Sequence, residues 1–326
     1  MNQKTILITG GCGYLGAHLL RLIAEDRYYE GVRVRILDNL SSGSINALMN
    51  LPSGPRYEFM EGDILAPGAV RAAMKDVGTV IHLAALVRTP FAFDQPSGIH
   101  QVNHWGTIRL LEHCIDAGVP RFLYASSVSV YGPGGLFDEQ AKCRPIGPYS
   151  CSKHEAERAV LMANDTNFGT TVLRMATLYG GKPQHVRFDA IANRLVYLAG
   201  TNRSLTVYGQ GTQTRPLVHV RDAARALLWA HQQDNSVGEV YNVAESSPTI
   251  ESVALLIQKL RPTTPLRYTD QDYREHLSLA VHTEKIYGAG WQSSERLENG
   301  LNELLAHFHN LSPIENSAPE LTEFQC

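Results

Sequence analysis

The sequence predicts an α/β protein built on a doubly wound parallel sheet, with a smaller lobe drawn from its C-terminal half. Three observations carry that expectation. Short apolar runs alternate with helix-spaced segments through the first half of the chain, the pattern of βα units around a parallel sheet. The first run, Thr5-Ile6-Leu7-Ile8, passes into a glycine-rich turn, Thr9-Gly10-Gly11-Cys12-Gly13-Tyr14-Leu15-Gly16. Beyond Arg174 the alternation gives way to less regular pieces, and the chain is expected to return to the sheet through strands at 217–220 and 240–243.

The glycine-rich turn joins a buried strand to a helix whose apolar residues, in Ala17-His18-Leu19-Leu20-Arg21-Leu22-Ile23, recur at helical spacing. Such a turn builds a phosphate site: glycine lets the backbone approach closely, and the helix N-terminus offers free N–H groups and the positive end of a dipole. Gly10, Gly13 and Gly16 stand in a GxxGxxG spacing. The next apolar run, Val32-Arg33-Val34-Arg35-Ile36-Leu37, ends in Asp38. That is about 20 residues past the last glycine, where a carboxylate takes the adenosine ribose hydroxyls of a dinucleotide. The residues after it, Asn39-Leu40-Ser41-Ser42-Gly43, contain no Arg to receive a 2′-phosphate, which favours NAD over NADP.

Length and composition bound the rest. The 326 residues suffice for one large α/β unit with an appended lobe, or for two domains. A net charge of -3 without a basic stripe argues against nucleic acid, and no apolar run reaches a membrane span. Met1-Asn2-Gln3-Lys4 leads straight into the first strand, leaving no room for a signal peptide. The five cysteines are odd in number and form no CxxC pair, so reduced thiols and a cytoplasmic location are expected. No metal site is expected among the 13 His residues.

The remaining elements follow in order. Tyr57-Glu58-Phe59-Met60 reads as a third strand ending at Asp63, which either accepts from the adenine amino group or is an ordinary turn Asp. Thr79-Val80-Ile81-His82-Leu83 is a fourth strand, with His82 a core histidine, and the small Ala84-Ala85 after it would let a cofactor approach. A helix through Thr107–Cys114 stops at Gly118 and Pro120, with Asn103 ahead of it as a structural hydrogen-bonder. The fifth strand, Arg121 to Ala125, delivers the hydroxyls of Ser126, Ser127 and Ser129 to the carboxyl end of the sheet, where open α/β sheets bind ligands. Tyr149 and Lys153 are four apart on the helix that follows and share one face. An ammonium beside a phenol, whose unperturbed pKa is near 10, would lower it toward a usable base. Further helices are expected over 188–198, 221–232, 250–260 and 296–308, and a flexible tail over 311–326.

The ordered set TGGCGYLG, DNLSSG, GDI, HLAA, VNxxGT, SSVSVYG, YSCSK, LRMATLYG and GQGTQTRPLVHVRD resembles the extended short-chain dehydrogenase/reductase family, specifically its nucleotide-sugar epimerases and dehydratases. The likeness runs from residue 4 to about 308. It implies a Rossmann-type NAD-binding domain over 1–173 with 217–246, and a nucleotide-sugar-binding lobe over 174–216 with 247–310. It also implies a catalytic Ser127/Tyr149/Lys153 triad, with Tyr149 the base on a sugar hydroxyl and Lys153 holding the nicotinamide ribose. Around NAD it places Gly10, Gly13, Tyr14, Leu15, Gly16, Asp38 and Asn39. Asp63, Ile64, Leu83, Ala84, Ala85, Asn103 and Ala176 join them there. Around the substrate it places Ser127, Ser129, Thr177 and Asp189, with Arg215 and Arg274 on the pyrophosphate and Arg88 close enough to meet a sugar carboxylate. A homodimer through the helices near 98–117 and 149–165 is expected by the same analogy.

In the family's 4,6-dehydratases and decarboxylases, acids follow the catalytic hydroxyl; here Val128 and Ser129 do. The hydroxyl set instead resembles the 4-epimerases, so transient oxidation at C4 is the leading expectation. A dehydratase or decarboxylase using Glu139 or Asp138, a 4-keto-sugar reductase and a non-catalytic dinucleotide sensor are the alternatives. Thr177 stands where such epimerases usually carry Asn, which leaves the identity of the sugar open.

Overall fold

A seven-stranded, all-parallel sheet runs through the computed structural model, which describes residues 5–87, 95–182, 185–269 and 278–308. Its strands are β1 (Thr5–Thr9), β2 (Arg33–Asp38), β3 (Arg56–Glu61), β4 (Val77–His82) and β5 (Arg121–Ser127), followed by Gly169–Met175 and Val240–Val243. Across the sheet the order is Val240–Val243, Gly169–Met175, β5, β4, β1, β2, β3. The chain therefore winds outward in both directions from the β1/β4 pair, and the crevice of a doubly wound sheet opens at that reversal. β1 and β4 are buried along their whole length, which is why they read as unbroken apolar runs rather than as alternating ones.

Helices cover both faces. On one face, α1 (Tyr14–Glu25) packs against the helix Val220–Gln232, burying Leu19, Leu20 and Ile23 with Ala223 and Leu227. On the other, the helices Gly106–Asp116 and Gly147–Met162 bury Leu110, Leu111, Cys114, Ala156 and Val160. The first of this pair ends where the sequence places its stop, with Gly118 at φ +65 just before Pro120. It is preceded by a π-helical turn, Gln101–Trp105.

The strand-like run after Phe168 divides at Ala176. Its first part joins the central sheet, whereas Thr177–Tyr179 leaves it. The expected return through 217–220 is corrected by the same division. Leu217–His219 pairs with Thr177–Tyr179 in a separate two-stranded sheet, and only Val240–Val243 re-enters the central one. An apolar run specifies a buried strand without naming its partner. Here Ala176 has already given its N–H to Val243 O, and Thr177 N–H turns to Pro216 O. A further cluster buries Leu195, Val196, Leu205, Leu217, Ile257 and Leu301 among the helices Ile191–Gly200, Ile250–Leu260 and Leu297–Ala306. The helix expected from 188 starts at Ile191 because Ala190 is extended ahead of it. The tail expected over 311–326 lies outside the described residues.

His82 is a core histidine with a defined tautomer. The Thr107 hydroxyl donates its only proton to Asn103 O at 2.6 Å, so towards His82 Nε2, 2.9 Å away, it can only accept. Nε2 therefore carries the proton, and Nδ1 accepts from Thr9 Oγ1 at 2.7 Å. Burial, with the Lys153 charge adding to it, pushes His82 down to about 3, and burial likewise lowers His18 and His219 to about 4.

These groups stay neutral in the fold while the unfolded chain takes up protons below pH 6.5, so stability falls as pH drops from 6.5. His82 alone accounts for a loss on the order of 3 kcal/mol at pH 4. Urea titrations between pH 7 and 4 check this: the fall should be steep in the wild type and shallower in His82→Gln.

Candidate active site

The three glycines of the first turn differ in what surrounds them. Gly10 has φ +72, and a Cβ there would lie 2.5 Å from Ala84 N, so it turns the chain while β1 and β4 close on each other. At Gly16 a Cβ would meet Gly11 O at 2.5 Å, so this glycine lets α1 pack on the turn. Gly13 alone faces open space, with Gly10 O at 3.3 Å its one near neighbour, and its φ of -77 suits any residue. Gly13 is also the N-cap of α1, and no side chain caps that end, leaving the first N–H groups of the helix to a ligand. Turn, open face and close packing are the three duties of glycine in a dinucleotide site.

Around this turn lie the other cofactor candidates. Asp38, at the end of β2, accepts from Cys12 N–H at 2.9 Å and Leu40 N–H at 2.8 Å, which ties the turn to the sheet edge. Asn39 donates to Asp63 Oδ2 at 2.7 Å, while Asp63 Oδ1 takes Leu65 N–H, so Asp63 is a turn Asp that also ties β2 to β3 through Asn39. Ile64 is buried under Gly106. Leu83, Ala84 and Ala85 run half-buried from the end of β4. Tyr14 sends its hydroxyl to Gly180 O, and Leu15 packs against the core, which leaves their backbone N–H groups for the ligand. Asn103 brackets Leu86, accepting from its N–H at 2.7 Å and donating to its carbonyl at 3.0 Å, and it also donates to Ser152 Oγ. Ala176 is buried between two strands.

The carboxyl end of β5 and the helix Gly147–Met162 bring Ser127, Tyr149 and Lys153 together. Ser127 Oγ lies 2.9 Å from Ser129 Oγ, and Ser127 acts to lower the Tyr149 phenol. Lys153 is buried and donates to Ala125 O at 2.8 Å, with its ammonium 4.8 Å above the Tyr124 ring. Burial brings it down to about 7, an effect that Glu157, one helical turn on, opposes. Burial holds the Tyr149 phenol above its ordinary value, and the groups acting to lower it are Arg187 and Ser127. The Lys153 ammonium meets a carbonyl and a ring face.

Arg187 is the group the sequence does not announce. Its guanidinium donates to Val87 O at 3.1 Å and grips Asp189 through both nitrogens, spanning from the loop after β4 to the loop before the helix Ile191–Gly200. Asn193 fixes this loop by donating to Arg187 O and accepting Gly180 N–H. A single Arg among polar residues carries no motif, and only the fold brings it to Tyr149. Asp189 is thus an ion-pair partner of Arg187. Thr177 opens the short strand beside Pro216, and Arg215 Nη1 donates to Thr214 O at 2.8 Å. Arg88 and Arg274 lie outside the described residues. Cys151 is packed with its thiol on Pro145 O and held protonated by burial.

The absence of any metal-type cluster expected from the sequence also needs correction. His100, His104 and Glu155 come together, as do Cys143, His154 and Glu157. His100 and His104 form an HxxxH pair across the start of the π-helical turn, and Glu155 joins them only through the fold.

The model of the NAD dependent epimerase/dehydratase family matches residues 6–244. The chain belongs to that family. The human (Homo sapiens) dTDP-D-glucose 4,6-dehydratase is 26% identical over 334 residues, 96% of this chain and 93% of its own. The structure of UDP-glucose 4-epimerase with UDP-glucose from Thermotoga maritima superposes with a TM-score of 0.83 at 25% identity, over 93% of this chain and 98% of that one. The dTDP-glucose 4,6-dehydratase from Bacillus anthracis in complex with NAD superposes at 0.81 with 26% identity, over 93% and 96%. NAD is the cofactor of the family, and the residues present fit it: an open Gly13 at an uncapped helix start, with Asp38 at the end of β2. Among the described residues no helix is long and apolar enough to cross a membrane.

The contrast among glycines is testable by substitution. Gly13→Ala should fold with a near-normal unfolding midpoint yet bind NAD at least about tenfold more weakly, because the methyl occupies the face left open for the ligand. Gly10→Ala, forced into Ala84, should lose stability itself. Calorimetric titration with NAD beside thermal unfolding separates the two outcomes.

Proposed function

We propose that the chain is an NAD-dependent nucleotide-sugar 4-epimerase, inverting C4 by transient oxidation and reduction at the same carbon. The observation that carries this reading is the end of β5, where Ser127 and Ser129 present two hydroxyls beside Tyr149 and no carboxylate follows the catalytic position. Elimination of water or loss of CO₂ asks for an acid there. The acids that would replace it are engaged elsewhere: Glu139 Oε1 accepts Asn242 N–H at 2.7 Å, and Asp138 Oδ1 accepts Gln140 N–H at 3.0 Å. Asp189 is held by Arg187.

Epimerisation needs less. In this reading Tyr149 accepts the proton of the C4 hydroxyl and later returns it, acting as base and then acid. Ser127 donates a hydrogen bond to the same oxygen, and Ser129 keeps the Ser127 hydroxyl oriented. Lys153, anchored on Ala125 O, faces the nicotinamide ribose, and Arg187 offsets the burial that holds the Tyr149 phenol high. NAD, when bound, supplies the two-electron oxidation and its reversal. Arg215 and Arg274 take the diphosphate, for which a fixed guanidinium fork is suited. Thr177 and Asp189 face the sugar with Arg88. The lobe of 174–216 and 247–310 holds the nucleotide-sugar against the NAD domain, and the helices near 98–117 and 149–165 pair two subunits.

The purified protein should be given UDP-, dTDP-, GDP- and CDP-sugars without added cofactor, and the products followed by mass and by NMR. Unchanged mass with inverted C4 is expected. A product lighter by water or CO₂ would remove the epimerase reading, and net consumption of added NADH would replace it by a reductase.

Tyr149→Phe should retain NAD while turnover drops by about 10²–10⁴. Turnover near the wild-type rate would show that another group moves the proton.

A further inference from the structure

Opposite the active site, on the outer side of the π-helical turn Gln101–Trp105 and the helix Gly147–Met162, three side chains converge. Nδ1 of His100 and Nδ1 of His104 lie 3.3 Å and 3.1 Å from the same oxygen, Oε2 of Glu155. The three ligand atoms all fall within 4.8 Å of one another. A tetrahedral zinc with bonds of about 2.0–2.1 Å sets its ligand atoms about 3.4 Å apart, so two of the three edges are already at the required length. Two His four residues apart on one helical face are a recurrent chelating pair, and imidazole with carboxylate suits zinc and its neighbours in the first transition row.

We propose that His100, His104 and Glu155 bind one divalent zinc-type ion, which staples the π-helical turn to the catalytic helix. All three residues are partly exposed in the single chain, on the helices proposed above to pair two subunits, so the remaining coordination positions fall to water or to the partner subunit. The second cluster is a poorer candidate. Its Glu157 is fully buried, bound twice by the Arg174 guanidinium and once by Ser126 Oγ, so a fixed cation already holds the carboxylate.

The staple has a structural consequence. The π-helical turn carries His104 outward and Asn103 inward, and Asn103 holds Leu86 and Ser152. Ser152 Oγ in turn donates to Tyr149 O at 2.8 Å. An ion on the outside therefore reinforces, from the opposite face, the junction that Asn103 makes on the inside. π-turns of this kind recur at functional sites, and this one is the single departure from α geometry between residues 96 and 116.

The test uses the intact purified protein stripped with EDTA and then titrated with zinc chloride, and separately with cobalt(II). The expected result is one equivalent of metal per chain and a raised thermal midpoint. His104→Ala and Glu155→Gln should abolish both, weakening binding by more than the roughly 10–100-fold that loss of an outer-shell partner costs. His282→Ala, in an exposed His–Glu pair elsewhere, should bind as the wild type does. Cobalt should give d–d bands without a thiolate charge-transfer band. Failure of the wild type to take up metal, equal uptake by the variants, or a thiolate band placing the ion at Cys143 would each overturn the proposal.

Discussion

The approach of β1 to β4 at Gly10 is the constraint on which the rest of the site depends. Gly10 N–H reaches sideways to Leu37 O on β2, and Leu83 N–H reaches back to Thr9 O, so three strands end in register at one level. Any side chain at position 10 would collide with the Ala84 backbone, and relief would come only by parting the two central strands. Because the sheet winds away from this pair in both directions, parting them would displace Asp38 on one side and Ser127 on the other. The crevice owes its shape to a missing Cβ.

A second constraint holds the helix Gly147–Met162 in place. Glu157 accepts from Ser126 Oγ at 2.6 Å and pairs with Arg174, which continues to Tyr131 and Asn242. This chain of bonds joins the helix to β5 and to both strands beyond it. Burying such a pair brings little net stability, since desolvation offsets the attraction, but removing one partner strands a charge at a cost of about 3–5 kcal/mol. The network therefore acts on position: Glu157 lies one turn from Lys153 and Ser126 lies one residue from Ser127, so both Lys153 and Ser127 are held through it.

What the sequence discloses of this arrangement is what is local. The glycine spacing, the Asp at the end of β2, the hydroxyls after β5 and the Tyr149–Lys153 pair are each contained within one βα unit, where spacing alone sets geometry. Partnerships between distant segments are not disclosed. Leu217–His219 looks like any buried strand until Thr177–Tyr179 is seen to leave the sheet. Arg187 gains meaning only when its loop is brought against Val87 and Tyr149. The contacts of Lys153 are undisclosed for the same reason, because helical spacing places it on one face with Tyr149 without saying that its ammonium meets Ala125 O and the Tyr124 ring.

The burial of this pair bears on the chemistry. It holds the Tyr149 phenol above its ordinary value and brings the Lys153 ammonium down to about 7, so the enclosed pair resists carrying charge on either member. Arg187, fixed at the rim by Asp189 and Val87, brings positive charge that acts to lower the Tyr149 phenol. A reaction that removes a proton and later replaces it needs a base whose surroundings do not change between the two events. A phenol flanked by a serine hydroxyl and a clamped guanidinium meets that condition. A one-way elimination would need an additional acid at the strand end, and there the chain offers Val128 and Ser129.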